Sequence, residues 1–283
     1  MSARWNLVLQ GDPPGQDALD ALASMARATG LETIGPRAWR LAGADPATRA
    51  PVAAAADGAG LDWGFVEAGR RLGDFGLLAM DMDSTLITIE CIDEIADFAG
   101  RKAEVAAVTA SAMRGEIDWP ESLRRRVAAL AGLPEGVLET VYRERLAFTP
   151  GAERLVAAAK RAGVATLLVS GGFTAFTDRL RARLGLDEAH ANVLAVKDGR
   201  LTGEVTGPLV DAEGKARHTA RMRDARGLSR KAVLAIGDGA NDLAMMAEAG
   251  TSIAFRAKPV VSERASYALR HTGLEGVLAL FPP

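Results

Sequence analysis

Two aspartates two residues apart, Asp81 and Asp83, leave the apolar run 75–80 directly. Anions so placed at the end of a buried strand repel one another and lose hydration unless a cation or a proton separates them. The pair therefore calls for a divalent metal, with one carboxylate left to attack an electrophile bound on it. Three further clusters share that logic. Ser170-Gly171-Gly172 follows the run 164–169; its glycines let backbone approach a ligand, and Ser170 with free amides of a following helix can hold phosphate oxygens. Lys215 follows Gly214 and opens a helix predicted over 216–226, where one ammonium can neutralise both a carboxylate nucleophile and an incoming phosphoryl group. The hexapeptide 237–242, Gly-Asp-Gly-Ala-Asn-Asp, follows the run 232–236 and adds Asp238, Asn241 and Asp242. Singly, such residues serve as helix caps, turns or surface charges. Four clusters in one polypeptide order, each after a strand or at a helix start, exceed what capping requires.

The elements that must position them are legible as short Val-, Ile- and Leu-rich runs at 76–80, 164–169, 232–236 and 251–255, separated by amphipathic helices. That is the pattern of an α/β fold with a Rossmann-like parallel sheet and helices on both faces. Between the first two runs, 92–98, 103–113, 119–130 and 134–146 all read as helices. A helical cap over about 88–148, inserted after the first core strand, would stand over the carboxyl ends of the strands as a lid. Residues 192–209 alternate around Asp198-Gly199 and predict a hairpin. Ahead of the main domain, 74–283, the order strand (5–10), helix (17–29), strand (33–41) and strand (61–66) predicts a small α+β domain over 1–73, with 53–56 read only as a low-complexity alanine tract.

Bulk properties exclude several classes. The chain has 283 residues, a formal net charge of -2 and no polybasic run, so it carries no footprint for nucleic acid or an anionic membrane. A single cysteine, Cys91, excludes an internal disulfide and a cysteine-built zinc site, in keeping with a reducing cytoplasm. The apolar stretch 5–9 is too short for a signal peptide, and no run is long enough to span a bilayer; a cytoplasmic location is expected. His190, His218 and His271 do not cluster along the chain and read as surface or core residues.

Residues 81–85, Ser170-Gly171-Gly172, Lys215 and 237–242 resemble the four ordered motifs of the haloacid dehalogenase superfamily of phosphatases. Residues 90–96, 122–127, 196–203 and 254–259 are similar to stretches of its phosphoserine-hydrolysing branch, and the resemblance runs from about 77 to 280. It implies hydrolysis of O-phospho-L-serine through an aspartyl-phosphate on Asp81, the last step of serine biosynthesis. The alternative is a related phosphatase or phosphotransferase acting on phosphoethanolamine, phosphohomoserine or another phosphomonoester. Mg²⁺ would be held by Asp81, the main-chain carbonyl of Asp83, and Asp238, with Asp242 steadying the metal's surroundings and Lys215. Asp83 would be the general acid and base, and Ser170, Gly171, Lys215 and Asn241 would hold the phosphate. In the cap, Glu90 would take the substrate ammonium and Arg126 its carboxylate, while Met113 and Trp119 would form the apolar wall. Trp119 stands where the resemblance leads one to expect phenylalanine. The resemblance also likens 1–73 to small ligand-sensing modules. Besides a small phosphomonoester, a homo-oligomer is among the partners the sequence permits.

Overall fold

The computed structural model describes residues 4–283. The N-terminal part folds as β1 (Trp5–Gly11), α1 (Gln16–Met25), β2 (Gly30–Gly35), β3 (Ala38–Ala42), α2 (Arg49–Gly58) and β4 (Leu61–Glu67), giving an antiparallel sheet in the order β2-β3-β1-β4. Alternation along β1 sorts its two faces. Leu7 and Leu9 meet Leu19 and Leu22 of α1 and Val52 and Ala56 of α2, while Val8 turns the other way into the core of the main domain.

Two expectations are corrected here. The single strand predicted at 33–41 is two, β2 and β3, reversing at Pro36-Arg37. The alanine tract belongs to a helix, α2, which the sequence reading did not foresee; alanine has the highest helix propensity, and Pro51 falls in the first turn, where a missing N–H is harmless.

The N-terminal sheet is pinned to the rest of the chain by a buried carboxylate. Asp62 accepts hydrogen bonds from the amides of Arg270 (2.6 Å), His271 (3.1 Å) and Thr272 (3.0 Å) and from the Thr272 hydroxyl (2.8 Å).

The main sheet comprises β5 (Leu77–Met80), β6 (Ala165–Phe173), β7 (Glu188–Lys197), β8 (Arg200–Thr206), β9 (Val233–Gly237), β10 (Thr251–Phe255) and β11 (Tyr267–Leu269), in the order β11-β10-β9-β5-β6-β7-β8. All pairings are parallel except the predicted hairpin β7–β8, and β11, only three residues long, was not anticipated. The four helices α3 (Cys91–Phe98), α4 (Lys102–Met113), α5 (Trp119–Ala128) and α6 (Gly136–Glu144) lie between β5 and β6, as expected. The remaining helices are α7 (Ala152–Arg161), α8 (Thr174–Leu184), α9 (Ala212–Ala225), α10 (Leu243–Ala247), α11 (Pro259–Ser262) and α12 (Gly276–Leu280). Leu78 and Met80 of β5 pack with Leu155 of α7 and Phe176 of α8, whereas Leu77 and Ala79 pack with Met222 of α9 and Met245 of α10. Both faces of the sheet are covered around β5, which is why its central strands are apolar without alternation, unlike the exposed hairpin β7–β8.

Two of the three histidines do come together: the rings of His190 (β7) and His218 (α9) stack at 4.0 Å. Burial, then His190, Arg221 and Arg217, push the His218 pKa down to about 4, with Glu188 opposing them. An unfolded chain takes up this proton near 6.5, the folded one only near 4, so its contribution to stability falls as pH drops through that window. His218→Phe, which keeps a stacked ring, is expected to flatten part of the fall in melting temperature between those pH values; solvent screening of the half-exposed ring keeps the effect small. Identical pH profiles for both proteins would refute this assignment.

Candidate active site

Strand β5 is the central strand, flanked by β6 on one side and β9 on the other. The chain order reverses there, and such a switch point opens a crevice beyond the carboxyl ends of the strands. Asp81 emerges into it, its amide still bonded to the Ile236 carbonyl of β9 (3.0 Å) and the residue only 5% exposed. The Asp81 Oδ1 accepts the amide of Met82 (2.7 Å) and the ammonium of Lys215 (2.8 Å), so Oδ2 is the oxygen without a donor among the described residues.

Past Asp81 the chain makes a tight reversal, in which Ser84 adopts the left-handed region (φ 55°). Such strain persists only where its surroundings enforce it. Here three side chains do: the Ser84 hydroxyl donates to Glu90 (2.7 Å), that of Thr85 to Asp238 (3.1 Å), and the Cys91 amide donates to Asp83 Oδ2 (3.4 Å). Asp83 Oδ1 is buried without a hydrogen-bond partner among the described residues.

Lys215 does not open its helix. Helix α9 begins at Ala212, capped by Asp211, whose carboxylate accepts the Gly214 amide (2.7 Å), and Lys215 lies one turn in. Its ammonium, 1% exposed, sits between Asp81 and Asp242 Oδ1 (2.7 Å). Asp242 Oδ2 accepts the amides of Asp238 (3.1 Å) and Gly239 (3.0 Å), so both its oxygens are engaged. Gly237 makes this possible, because a Cβ there would collide with the Asp242 carboxylate.

Ser170-Gly171-Gly172 remains within β6, but the register against β7 shifts between Val169 and Phe173, so the tripeptide bulges from the ladder toward the crevice. Ser170 Oγ accepts the Gly172 amide (2.9 Å). A Cβ on Gly172 would lie 2.8 Å from Met82 Cε, and one on Gly171 2.9 Å from Trp119 Cζ2. The second contact joins α5 to the sheet, so Trp119 walls one side of a half-open cavity of about 520 Å³.

Asp81, Asp83, Asp238, Ser170, Gly171 and Asn241 border this cavity from the sheet side, and Glu90, Trp119 and Arg126 border it from the inserted helices. Lys215 and Asp242 stand behind Asp81. Met113 ends α4, and its side chain lies outside the described residues. Lys258, after β10, also lines the cavity; its run, 254–259, carried part of the resemblance, but its side chain had not been assigned a task. Asn192, in the sequence only the first residue of the predicted hairpin, joins Gly171 to Val210 through its buried amide (2.8 and 2.9 Å).

The electrostatics are those of a site short of positive charge. Burial, then Asp242, raises the Asp81 pKa, with Lys215 opposing. Burial and Glu90 lift Asp83 to about 7, and burial and Asp242 lift Asp238 to about 6. Burial alone would depress Lys215, yet Asp242 and Asp81 together hold it above its ordinary value. Asp81, Asp238 and Asp242 each present an oxygen such that all three lie within 4.8 Å of one another. Buried carboxylates so close, with the first two destabilised as anions, fit a divalent cation. Burial lowers Arg126 and raises Glu90; Glu90 accepts the Ser84 hydroxyl and Arg126 makes a long bond to the Ser122 carbonyl, but among the described residues no salt bridge joins either to another residue, so both charges border the cavity without an ion-pair partner. Burial also raises the Cys91 thiol far above its ordinary range, which leaves it no role as a nucleophile.

The Gly171–Trp119 contact yields one prediction. Gly171→Ala should lower kcat/KM about 10-fold by holding α5 away from the sheet, as expected for 1–3 kcal/mol of overpacking. Adding Trp119→Phe should recover most of it, measured as phosphate release; no recovery would mean that the loss is not steric.

Known proteins resemble this chain in sequence and in fold. Residues 78–247 match the family model of haloacid dehalogenase-like hydrolases, and 7–52 match a domain of unknown function. The phosphoserine phosphatase of Polaromonas sp. is 54% identical over 215 residues, spanning 74% of this chain and 91% of that one. The crystal structure of a probable phosphoserine phosphatase from Vibrio cholerae, 35% identical, superposes with a TM-score of 0.84 over 99% of this chain and 86% of the other. A solved phosphoserine phosphatase described as a phospho-aspartyl intermediate analogue, 39% identical, reaches a TM-score of 0.69 over 73% of this chain and 99% of its own. Among the described residues no helix is long and apolar enough to cross a membrane.

Proposed function

The chain belongs to the haloacid dehalogenase-like hydrolase family, and from that premise we propose that it hydrolyses O-phospho-L-serine to serine and phosphate, Asp81 being the nucleophile. The observation that carries the reading is the coexistence, around one half-open cavity, of a buried carboxylate held by Lys215 and two charges of opposite sign, Glu90 and Arg126, with no salt-bridge partner among the described residues. A phosphomonoester needs the first, and an amino-acid ester also needs the second.

A phosphate dianion repels a carboxylate, so charge must be cancelled before attack. Lys215 supplies one positive charge at Asp81 Oδ1, which leaves Oδ2 to approach phosphorus. Asp81, Asp238 and the Asp83 main-chain carbonyl would hold Mg²⁺, which neutralises the phosphoryl group when bound. Asp242, with both oxygens committed, keeps Lys215 and the 238–239 turn in place. Ser170, the Gly171 amide and Asn241 take the phosphoryl oxygens.

Asp83, whose pKa of about 7 lets it carry a proton at neutral pH, gives that proton to the departing seryl oxygen. It then takes one from the water that cleaves the aspartyl-phosphate. Glu90 holds the substrate ammonium and Arg126 its carboxylate, with Trp119 and Met113 as the apolar wall. The same reading divides the chain into 1–73, a candidate ligand-sensing domain, and 74–283, the phosphatase domain with its cap over about 88–148.

The test is phosphate release from O-phospho-L-serine against phosphoethanolamine, which lacks the carboxylate. A preference of about 10²-fold in kcat/KM is expected from one lost charge-assisted pair; equal rates would overturn the substrate assignment. A chelator should abolish turnover and Mg²⁺ restore it. Ca²⁺, larger and taking more oxygens, should bind without restoring it by engaging both oxygens of Asp81. Full activity in chelator would refute the metal assignment.

A further inference from the structure

We infer that Asn192 is a positioning residue for the phosphate-holding turn, acting through the Gly171-Gly172 peptide on the Ser170 hydroxyl. The inference rests on the proposed role of Ser170. Asn192 lies on β7 opposite Phe173, just beyond the register shift, and is 1% exposed. Its Nδ2 donates to the Gly171 carbonyl (2.8 Å) and its Oδ1 accepts the Val210 amide (2.9 Å).

A trans peptide points its carbonyl and the following N–H in opposite directions. With the Gly171 oxygen drawn toward Asn192, the Gly172 N–H is turned the other way, where it donates to Ser170 Oγ (2.9 Å). A hydroxyl that accepts there keeps its own proton to give, and no described protein group receives it. Ser170 borders the cavity, so that proton is available to a phosphoryl oxygen. Asn192 thus sets Ser170 as a donor without touching the substrate. Its second bond, to Val210, ties the turn to the residue before Asp211, the cap of the helix that carries Lys215. One buried amide therefore links two groups proposed to grip the phosphate.

Asn192→Asp separates these contacts, because a carboxylate still accepts the Val210 amide but cannot donate to Gly171. A double-mutant cycle with Ser170→Ala tests the path of action. Asn192→Asp is expected to lower kcat about 30-fold with KM within about 3-fold, as for a donor lost from the transition state. In the Ser170→Ala background the same change should cost less than about 3-fold, since the hydroxyl it aims is gone. Equal losses in both backgrounds, or an Asn192→Asp enzyme with wild-type kcat, would overturn the inference. Asn192→Ala, which strands both partners, serves as a second variant, with melting temperature separating misfolding from misplacement. Wild-type turnover of O-phospho-L-serine tests the substrate reading by itself. Repeating the cycle on an aryl phosphate, which needs Ser170 but not Arg126, keeps a failure of that reading distinct from a failure here.

Discussion

Asp81→Asn is expected to reduce phosphate release at least about 10⁴-fold, to the background of the assay, while the protein stays folded. An amide oxygen is a poor nucleophile, and effects of this size are typical when the attacking group itself is removed. The shape of the side chain is kept, so Met82 and Lys215 retain an acceptor. Stability should not suffer in the metal-free protein. Burial and the neighbouring Asp242 already disfavour the Asp81 anion more than Lys215 favours it, so its pKa lies above the unfolded value. By linkage such a group weakens the fold as pH rises past its unfolded value and the unfolded chain gives up its proton first. A neutral amide removes that penalty, and a metal-free melting temperature at neutral pH equal to or above wild type is the expected reading. Beryllofluoride with Mg²⁺ should give a bound ¹⁹F signal in wild type and none in Asp81→Asn. Residual activity above about 1% in a folded variant would remove Asp81 from the role of nucleophile.

The second large effect belongs to the other end of the cavity. Arg126→Ala should lower kcat/KM for O-phospho-L-serine by about 10²- to 10³-fold, the 2–5 kcal/mol typical of removing one partner of a buried charge pair. An aryl phosphate, which offers no carboxylate, should lose less than about 3-fold. The contrast follows from where the residues sit: Arg126 comes from α5 and, among the described residues, makes only a long bond to the Ser122 carbonyl (3.4 Å), with no hydrogen bond or ion pair to the groups around Asp81 and Lys215. Arg126→Lys should fall between, because an ammonium keeps the charge but not the planar fork. Equal losses on both substrates would show that Arg126 supports the closed cap and does not read the substrate.

Much of the site can be read without coordinates because its pieces are local. Asp81 and Asp83 follow an apolar run whose length marks a buried strand, Asp238 follows another, Ser170 lies near the end of β6, and Lys215 lies one turn into α9. Three of the inserted helices, α3, α5 and α6, were legible for the same reason, each carrying a helical period of its own; α4 carries none. The failures have local causes too. The strand predicted at 33–41 concealed a two-residue reversal, β11 is too short to carry a pattern, and α2 is built from alanines, whose helix propensity leaves no amphipathic mark.

The sequence alone determined the order of the elements, the identity of the charged groups and the strand ends from which they project, since these depend on backbone propensity and side-chain periodicity within a few residues. Only the tertiary structure decided who partners whom. Spacing puts Asp83 beside Asp81, yet packing turns the Asp83 carboxylate toward Cys91 and brings Asp242 to Lys215 and into the acid trio. It likewise seats Trp119 on Gly171 and gives Asn192 its two bonds. Coulomb and hydrogen-bond energies in a dry interior depend on distances of a few ångströms, and for residues far apart along the chain those distances are set by sheet order and side-chain volume, which no local pattern encodes.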